Sequence, residues 1–183
     1  ELYGFSVTTD DDHVYLYAQC HRQFGFTEYG HDPCGGDVFV ARQPLDMPSM
    51  YPLEYWTGDD WSRNSDLAVN VAPEAGPDGS PRHINPMQVE RDGDQWIAVT
   101  KVDDWWGNEV HVDVAPSPEG PWTTSSVETM PAGDEEVADY FASLLPTDDG
   151  WAVAVSHNRW DGALSSHYRP HFTPIDDPWT RRT

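Results

Sequence analysis

The chain has 183 residues, room for one ordinary domain and too few for several. Ten Lys and Arg stand against 32 Asp and Glu, a formal net charge of -22 with one lysine, Lys101, so nucleic acid and anionic membrane surfaces are repelled at long range and excluded as partners. Hydrophobic residues at 38% and aromatics at 13%, nine of them Trp, supply a packed core, while no apolar run approaches the roughly 20 residues of a membrane span, so no membrane insertion is expected.

The start, Glu1-Leu2-Tyr3-Gly4, has neither an initiator Met nor a basic and apolar leader, and the expectation is a piece of a longer protein with any signal peptide removed or upstream. Pro (16) and Gly (14) interrupt every window long enough for several helical turns, which predicts an all-β chain. An apolar strand, Tyr3 to Val7, an acidic turn, Asp10-Asp11-Asp12, and a second strand, Val14 to Tyr17, open the first unit. A connection from Gln19 to Asp32 follows, then a third strand, Val38 to Arg42, and a fourth, Glu54 to Trp56. Cys20 and Cys34 lie close together in this loop region, outside any Cys-x-x-Cys spacing. They are read as one disulfide, with two unpaired thiols as the alternative, and a disulfide implies a protein that is secreted or associated with a cell envelope.

The pattern returns as Met87 to Val89, Asp92-Gly93-Asp94 and Trp96 to Val99, then a connection from Lys101 to Glu109 and strands at Val110 to Ala115 and Ser126 to Glu128. It returns again as Phe141 to Leu145, Asp148-Asp149-Gly150 and Trp151 to Val155, a connection from Ser156 to Gly162, and a strand at Tyr168 to Pro174. Repeated antiparallel meanders are the sequence form of β-propeller blades. Trp96-Ile97-Ala98-Val99 is apolar on both faces, as a sheet pressed between two neighbours requires. A sandwich or jelly roll is the competing architecture. The blades fall at about residues 1–63, 84–130 and 138–175. Three blades cannot close a ring that takes about four to eight, so the remaining blades are expected upstream of Glu1 or on a partner chain.

In such a meander the connections from second to third strand emerge on one face, and here all three mix aromatics with carboxylates, amides and His or Arg. Aromatic platforms flanked by donors and acceptors suit sugars, whose ring faces stack and whose hydroxyls need fixed partners. Trp105, Trp106 and Trp160 are the candidate platforms, against ordinary packing between blades as the other reading. Asp103 and Asp104 are candidate catalytic carboxylates, against solvated loop residues or turn caps. His157, Asn158 and Arg159 form a candidate donor cluster, with His21 and Gln23 at the mouth and Asn85 and Tyr140 on the same face. A satisfied structural histidine is the plainer reading of His157. His167 and His171 have metal-like spacing, but Pro170 between them breaks the helix that would align them, so no metal site is expected. No Gly-x-Ser-x-Gly elbow, phosphate loop or dinucleotide fingerprint occurs; no cofactor is required, and no motif supports a structural Ca2+.

Several stretches are familiar together: Tyr15-Leu16-Tyr17 before the Cys20 to Cys34 loop, Val40-Ala41-Arg42, Glu54-Tyr55-Trp56-Thr57-Gly58 and Asp103-Asp104-Trp105-Trp106-Gly107. Further on come Gly120-Pro121-Trp122, Tyr140-Phe141-Ala142-Ser143, His157-Asn158-Arg159-Trp160 and His167-Tyr168-Arg169-Pro170. Together they resemble the C-terminal part of the family numbered 4185 among domains of unknown function, similar to glycoside hydrolase family 183. The resemblance implies a five-bladed β-propeller, of which this chain supplies about three blades, and a glycosidase that cleaves D-arabinan internally, the arabinofuranose polymer of actinobacterial cell envelopes. It also implies that partner carboxylates lie upstream of Glu1. The alternative from another class is a non-catalytic glycan-binding propeller, which keeps the aromatics and lacks a paired acid and base.

Overall fold

A computed structural model of the protein describes residues 2–19, 37–47, 51–73, 75–79, 87–102, 108–130, 137–160 and 166–175. They form three antiparallel sheets in which strands follow one another in chain order. The first holds β1 (Leu2–Thr9), β2 (His13–Gln19), β3 (Val38–Pro44), β4 (Glu54–Trp56) and β5 (Trp61–Ser62). The second holds β6 (Gln88–Asp92), β7 (Gln95–Lys101), β8 (Glu109–Ala115) and β9 (Thr123–Thr129). The third holds β10 (Val137–Thr147), β11 (Gly150–Trp160) and β12 (Ser166–Ile175). These meander sheets are the blades of an all-β propeller, with the first strands β1, β6 and β10 side by side. Among the described residues no helix is long and apolar enough to cross a membrane.

Two seams hold the sheets together. Because successive side chains of a strand point to opposite faces, Trp96 and Ala98 of β7 enter one seam while Ile97 and Val99 enter the other. The first seam joins Tyr15, Tyr17, Val38 and Val40 to Met87, Val89, Ala115 and Trp122. The second joins Val110, Val112 and Met130 to Ala142, Leu144, Val153, Val155 and Ile175. Each fully buried Val or Ile contributes about 1.5–3 kcal/mol relative to exposure, so the doubly covered second sheet is the densest source of stability.

Polar ties fix the register of one sheet on the next. The Ser6 hydroxyl donates to the Val89 carbonyl (3.3 Å) and accepts from the Val89 N–H (2.9 Å), joining β1 to β6 in the buried seam. Tyr17, also buried, donates its hydroxyl proton to the Pro118 carbonyl at 2.7 Å. At the hairpin end Arg91 pairs with Asp11 at 3.1 Å.

Three features depart from the sequence expectation. A fifth strand, β5, extends the first sheet; two residues carry no periodicity, and the strand forms because Trp61 pairs with Trp56 across the turn (centroids 5.4 Å) and lies under the Arg42 guanidinium at 4.3 Å. The region expected as a third connection, Ser156 to Gly162, is strand as far as Trp160, pairing Tyr140 with Ser156 and Val137 with Arg159. His157 to Trp160 are therefore strand residues, not loop residues, and Tyr140 lies on the neighbouring strand; the polar composition hides a strand whose apolar period stops at Val155. A bulge between Tyr140 and Ala142 places the extra residue, Phe141, at φ +35° with its ring exposed.

Gly120-Pro121-Trp122 closes the turn between β8 and β9 and delivers Trp122 into the first seam. Gly120 has φ +98°, and a Cβ there would sit 2.9 Å from the Trp122 backbone nitrogen and 3.0 Å from its Cδ1. Gly120→Ala is expected to cost about 1–3 kcal/mol, read as a lowered denaturant midpoint at unchanged slope. An unchanged midpoint would mean that the turn has room to relax.

The Asp10 carboxylate organises the turn between β1 and β2. It accepts from the N–H of Asp12 (2.8 Å) and of His13 (2.7 Å) and from the Tyr15 hydroxyl (2.7 Å). Burial acts to raise its pKa, but these hydrogen bonds to the charged form, with the nearby His13, outweigh burial and hold it below the ordinary value. A lowered carboxyl pKa gives stability that is complete above the unfolded-state value and lost as pH falls through the folded one. Denaturation midpoints followed from neutral pH into the carboxylate range should therefore fall less in Asp10→Asn than in wild type.

Candidate functional site

The register assigns the loops to two ends. The turns at Asp10 to Asp12, at Gly93 and Asp94, and at Asp148 and Asp149 share one end with exposed carboxylates. The ends of β2, β7 and β11 and the starts of β3, β8 and β12, which flank the second-to-third-strand connections, share the other. Five buried polar side chains gather near that second end: Gln19 closes β2, Thr100 and Lys101 close β7, His111 lies near the start of β8, and Asn158 lies near the end of β11. Buried polar groups are costly without partners, so a protein keeps such a concentration where chemistry or binding needs it.

The second sheet shows how this end is built. On the first-seam face of β7, Trp96 and Ala98 give way to Thr100, which pairs across the sheet with His111. Thr100 thus continues the apolar row of β7 as a polar residue, and His111 follows the buried Asp113 on the same face of β8, next to the rim. Glu109, one step further on the same face of β8, is half-exposed, and its Oε2 lies 3.5 Å from His111 Nε2. The loop base is clamped by the Val102 N–H donating to the Glu109 carbonyl (3.1 Å) and the Met130 N–H donating to the Asn108 carbonyl (2.6 Å). On the first sheet, Asn70 Oδ1 accepts from the N–H of Val38 (2.9 Å) and of Ala72 (3.0 Å), folding the segment after β5 over the same end of the seam. Elsewhere on the second sheet, burial raises the pKa of Glu90, midway along β6. Burial also pushes Tyr15 and Tyr17 well above the ordinary phenol value, so both remain protonated hydrogen-bond donors at neutral pH.

Of the residues expected to form the site, Asp103, Asp104, Trp105, Trp106, His21, Gln23 and Asn85 lie outside the described residues, as do Cys20 and Cys34. Tyr140, Arg159 and Trp160 take strand positions on β10 and β11, paired with Ser156, Val137 and Ser166. His157 is half-buried on β11 opposite Asp139 and Arg169. Asn158 is fully buried; its Oδ1 accepts from the Ser156 hydroxyl (3.2 Å) and its Nδ2 donates to the Ser156 carbonyl (3.1 Å), so this amide braces the strand. Sequence reasoning passed over Thr100, Glu109 and His111. Their only signal was position, since they flank the Asp103 to Gly107 stretch in strands that are mostly apolar. Among the described residues, no group of three or more His, Cys, Asp or Glu could hold a metal ion.

The protein is similar in structure to a Bacteroides ovatus protein described as a hydrolase, with a TM-score of 0.61, 20% identity, and coverage of 93% of this chain and 43% of that one. It is also similar to a protein described as a glycoside hydrolase, with a TM-score of 0.51, 12% identity, and coverage of 96% and 38%. At these identities the likeness is one of fold, and the chain spans about two fifths of either structure. No curated protein matches the sequence. The family described as Domain of unknown function (DUF5005) matches residues 1–177, so the chain belongs to that family, and its likeness to the family numbered 4185 stays a resemblance of motifs.

Proposed function

We propose that the complete protein is a secreted or envelope-associated glycosidase that cleaves D-arabinan internally, and that this chain supplies about three blades of a five-bladed ring together with one wall of its glycan site. The observation that carries this reading is the gathering of buried polar side chains at the strand ends from which the three second-to-third-strand connections leave. The fold likeness to a protein described as a glycoside hydrolase supports the reaction class. The D-arabinan substrate rests on the motif resemblance alone.

The outward faces of the end sheets support a larger ring. Phe5 and Val7 are exposed on the first sheet, and Phe141, Leu145 and Phe172 on the third. Exposed apolar rows of this kind suit cover by further blades, in the same protein or a partner chain. A Cys20 to Cys34 disulfide would order the loop bearing His21 and Gln23 at the mouth. Hydrolysis needs two carboxyl groups flanking the glycosidic bond, about 5–5.5 Å apart for retention or about 6.5–9.5 Å for inversion. Asp103 or Asp104 would supply one of them, and an upstream blade the other. No cofactor or metal is required for that chemistry.

Incubated with D-arabinan, the intact protein should release a ladder of internal fragments, seen by size-exclusion chromatography. Asp103→Asn or Asp104→Asn should abolish turnover while leaving binding in place. Wild-type turnover in both variants would assign the chemistry to other blades, and binding without fragments from the intact protein would make it a glycan-binding propeller. Trp106→Ala should weaken oligosaccharide binding by about 1–2 kcal/mol if its ring stacks on a sugar face. Unchanged affinity in the folded variant would make Trp106 a packing residue.

A further inference from the structure

Glu109 combines four properties. It follows directly on the loop that carries both candidate carboxylates and two candidate platforms, separated from it by Asn108 alone. Its backbone is held at the loop base by the hydrogen bond from Val102, next to the one from Met130 to Asn108, so its Cα position is set by the sheet. Its side chain is 50% exposed at the rim of the first seam, whereas the His111 side chain behind it is 6% exposed. One carboxylate oxygen, Oε2, faces His111 Nε2 at 3.5 Å, and the other, Oε1, takes no hydrogen bond from any described residue.

We propose that Glu109 is a glycan-contacting residue, accepting hydrogen bonds from sugar hydroxyls through Oε1, and that His111 is the positioning residue that holds it in place. In the tautomer with its proton on Nε2, His111 donates to Oε2 and turns the carboxylate so that Oε1 faces the rim. A carboxylate fixed this way is an acceptor for one or two vicinal hydroxyls, the group that every sugar ring presents. Burial of the imidazole between sheets makes it a rigid support, and pairing with Thr100 on β7 fixes its place on β8. The ligand class, a polyhydroxylated glycan, rests on the function proposed above; the contact does not depend on cleavage.

The test is calorimetric titration of the intact protein with D-arabinan oligosaccharides, and with galactan oligosaccharides as a second probe. Glu109→Ala, at a half-exposed position, should weaken binding about tenfold or more. His111→Gln, which keeps an N–H near the place of Nε2, should bind nearly as wild type, and His111→Leu should lose about as much as Glu109→Ala. In the double variant His111→Leu with Glu109→Ala the losses should not add, because both remove one contact; a purely structural histidine would give additive losses. Wild-type affinity in Glu109→Ala, additive losses in the double variant, or no binding of either probe by wild type would overturn the proposal. Binding that depends on Glu109 without release of fragments would leave it standing while refuting the glycosidase.

Discussion

Burial of the second sheet on both faces is the constraint on which the rest of the structure depends. A strand covered on one side needs apolar residues at alternate positions; one covered on both sides needs them at every position, and β7 meets that demand from Trp96 to Val99. The first and third sheets then need only one apolar face each toward it. Tyr15 and Tyr17 on β2 and Val153 and Val155 on β11 supply those faces with a period of two. Where rings meet across the first seam they do so edge to face, as Tyr15 does with Trp96 at 5.3 Å, an arrangement that the quadrupoles of the two rings favour.

That constraint also localises polarity. Hydrophilic side chains within a two-sided interior require partners, and the cheapest place to satisfy them is where strands run out into loops. Thr100, Lys101 and His111 occupy such a place, and so do Gln19 and Asn158 on the flanking sheets. The opposite end is built for turning the chain. Its carboxylates cap turns, as Asp10 does for Asp12 and His13, or pair with a cation, as Asp11 does with Arg91. Sorting of this kind means that a chain with a net charge of -22 can carry carboxylates with two distinct duties. Those in hairpin turns sustain the fold, and Glu109, beside the loop-bearing end, stands half in water.

The sequence by itself determined the class of fold. Pro and Gly frequency, acidic turns and strands of period two left no alternative to antiparallel sheets, and continuous apolarity in β7 implied neighbours on both sides. Of the twelve strands among the described residues, nine were legible in this way, β10 and β11 only in their central parts, and β4 and β9 were legible from short aromatic or β-branched runs. What the residues could not announce was decided by tertiary structure. The two-residue β5 exists because Trp61 finds Trp56 and Arg42. Tyr140 and His157 to Trp160 are strand because a long hairpin extends by backbone hydrogen bonds, which are indifferent to side-chain polarity. The Glu109 and His111 pair was invisible for a related reason. A glutamate and a histidine two apart on a strand are common, and only the packing of the first sheet against the second leaves one buried and the other half in water, turning an ordinary spacing into a supported carboxylate.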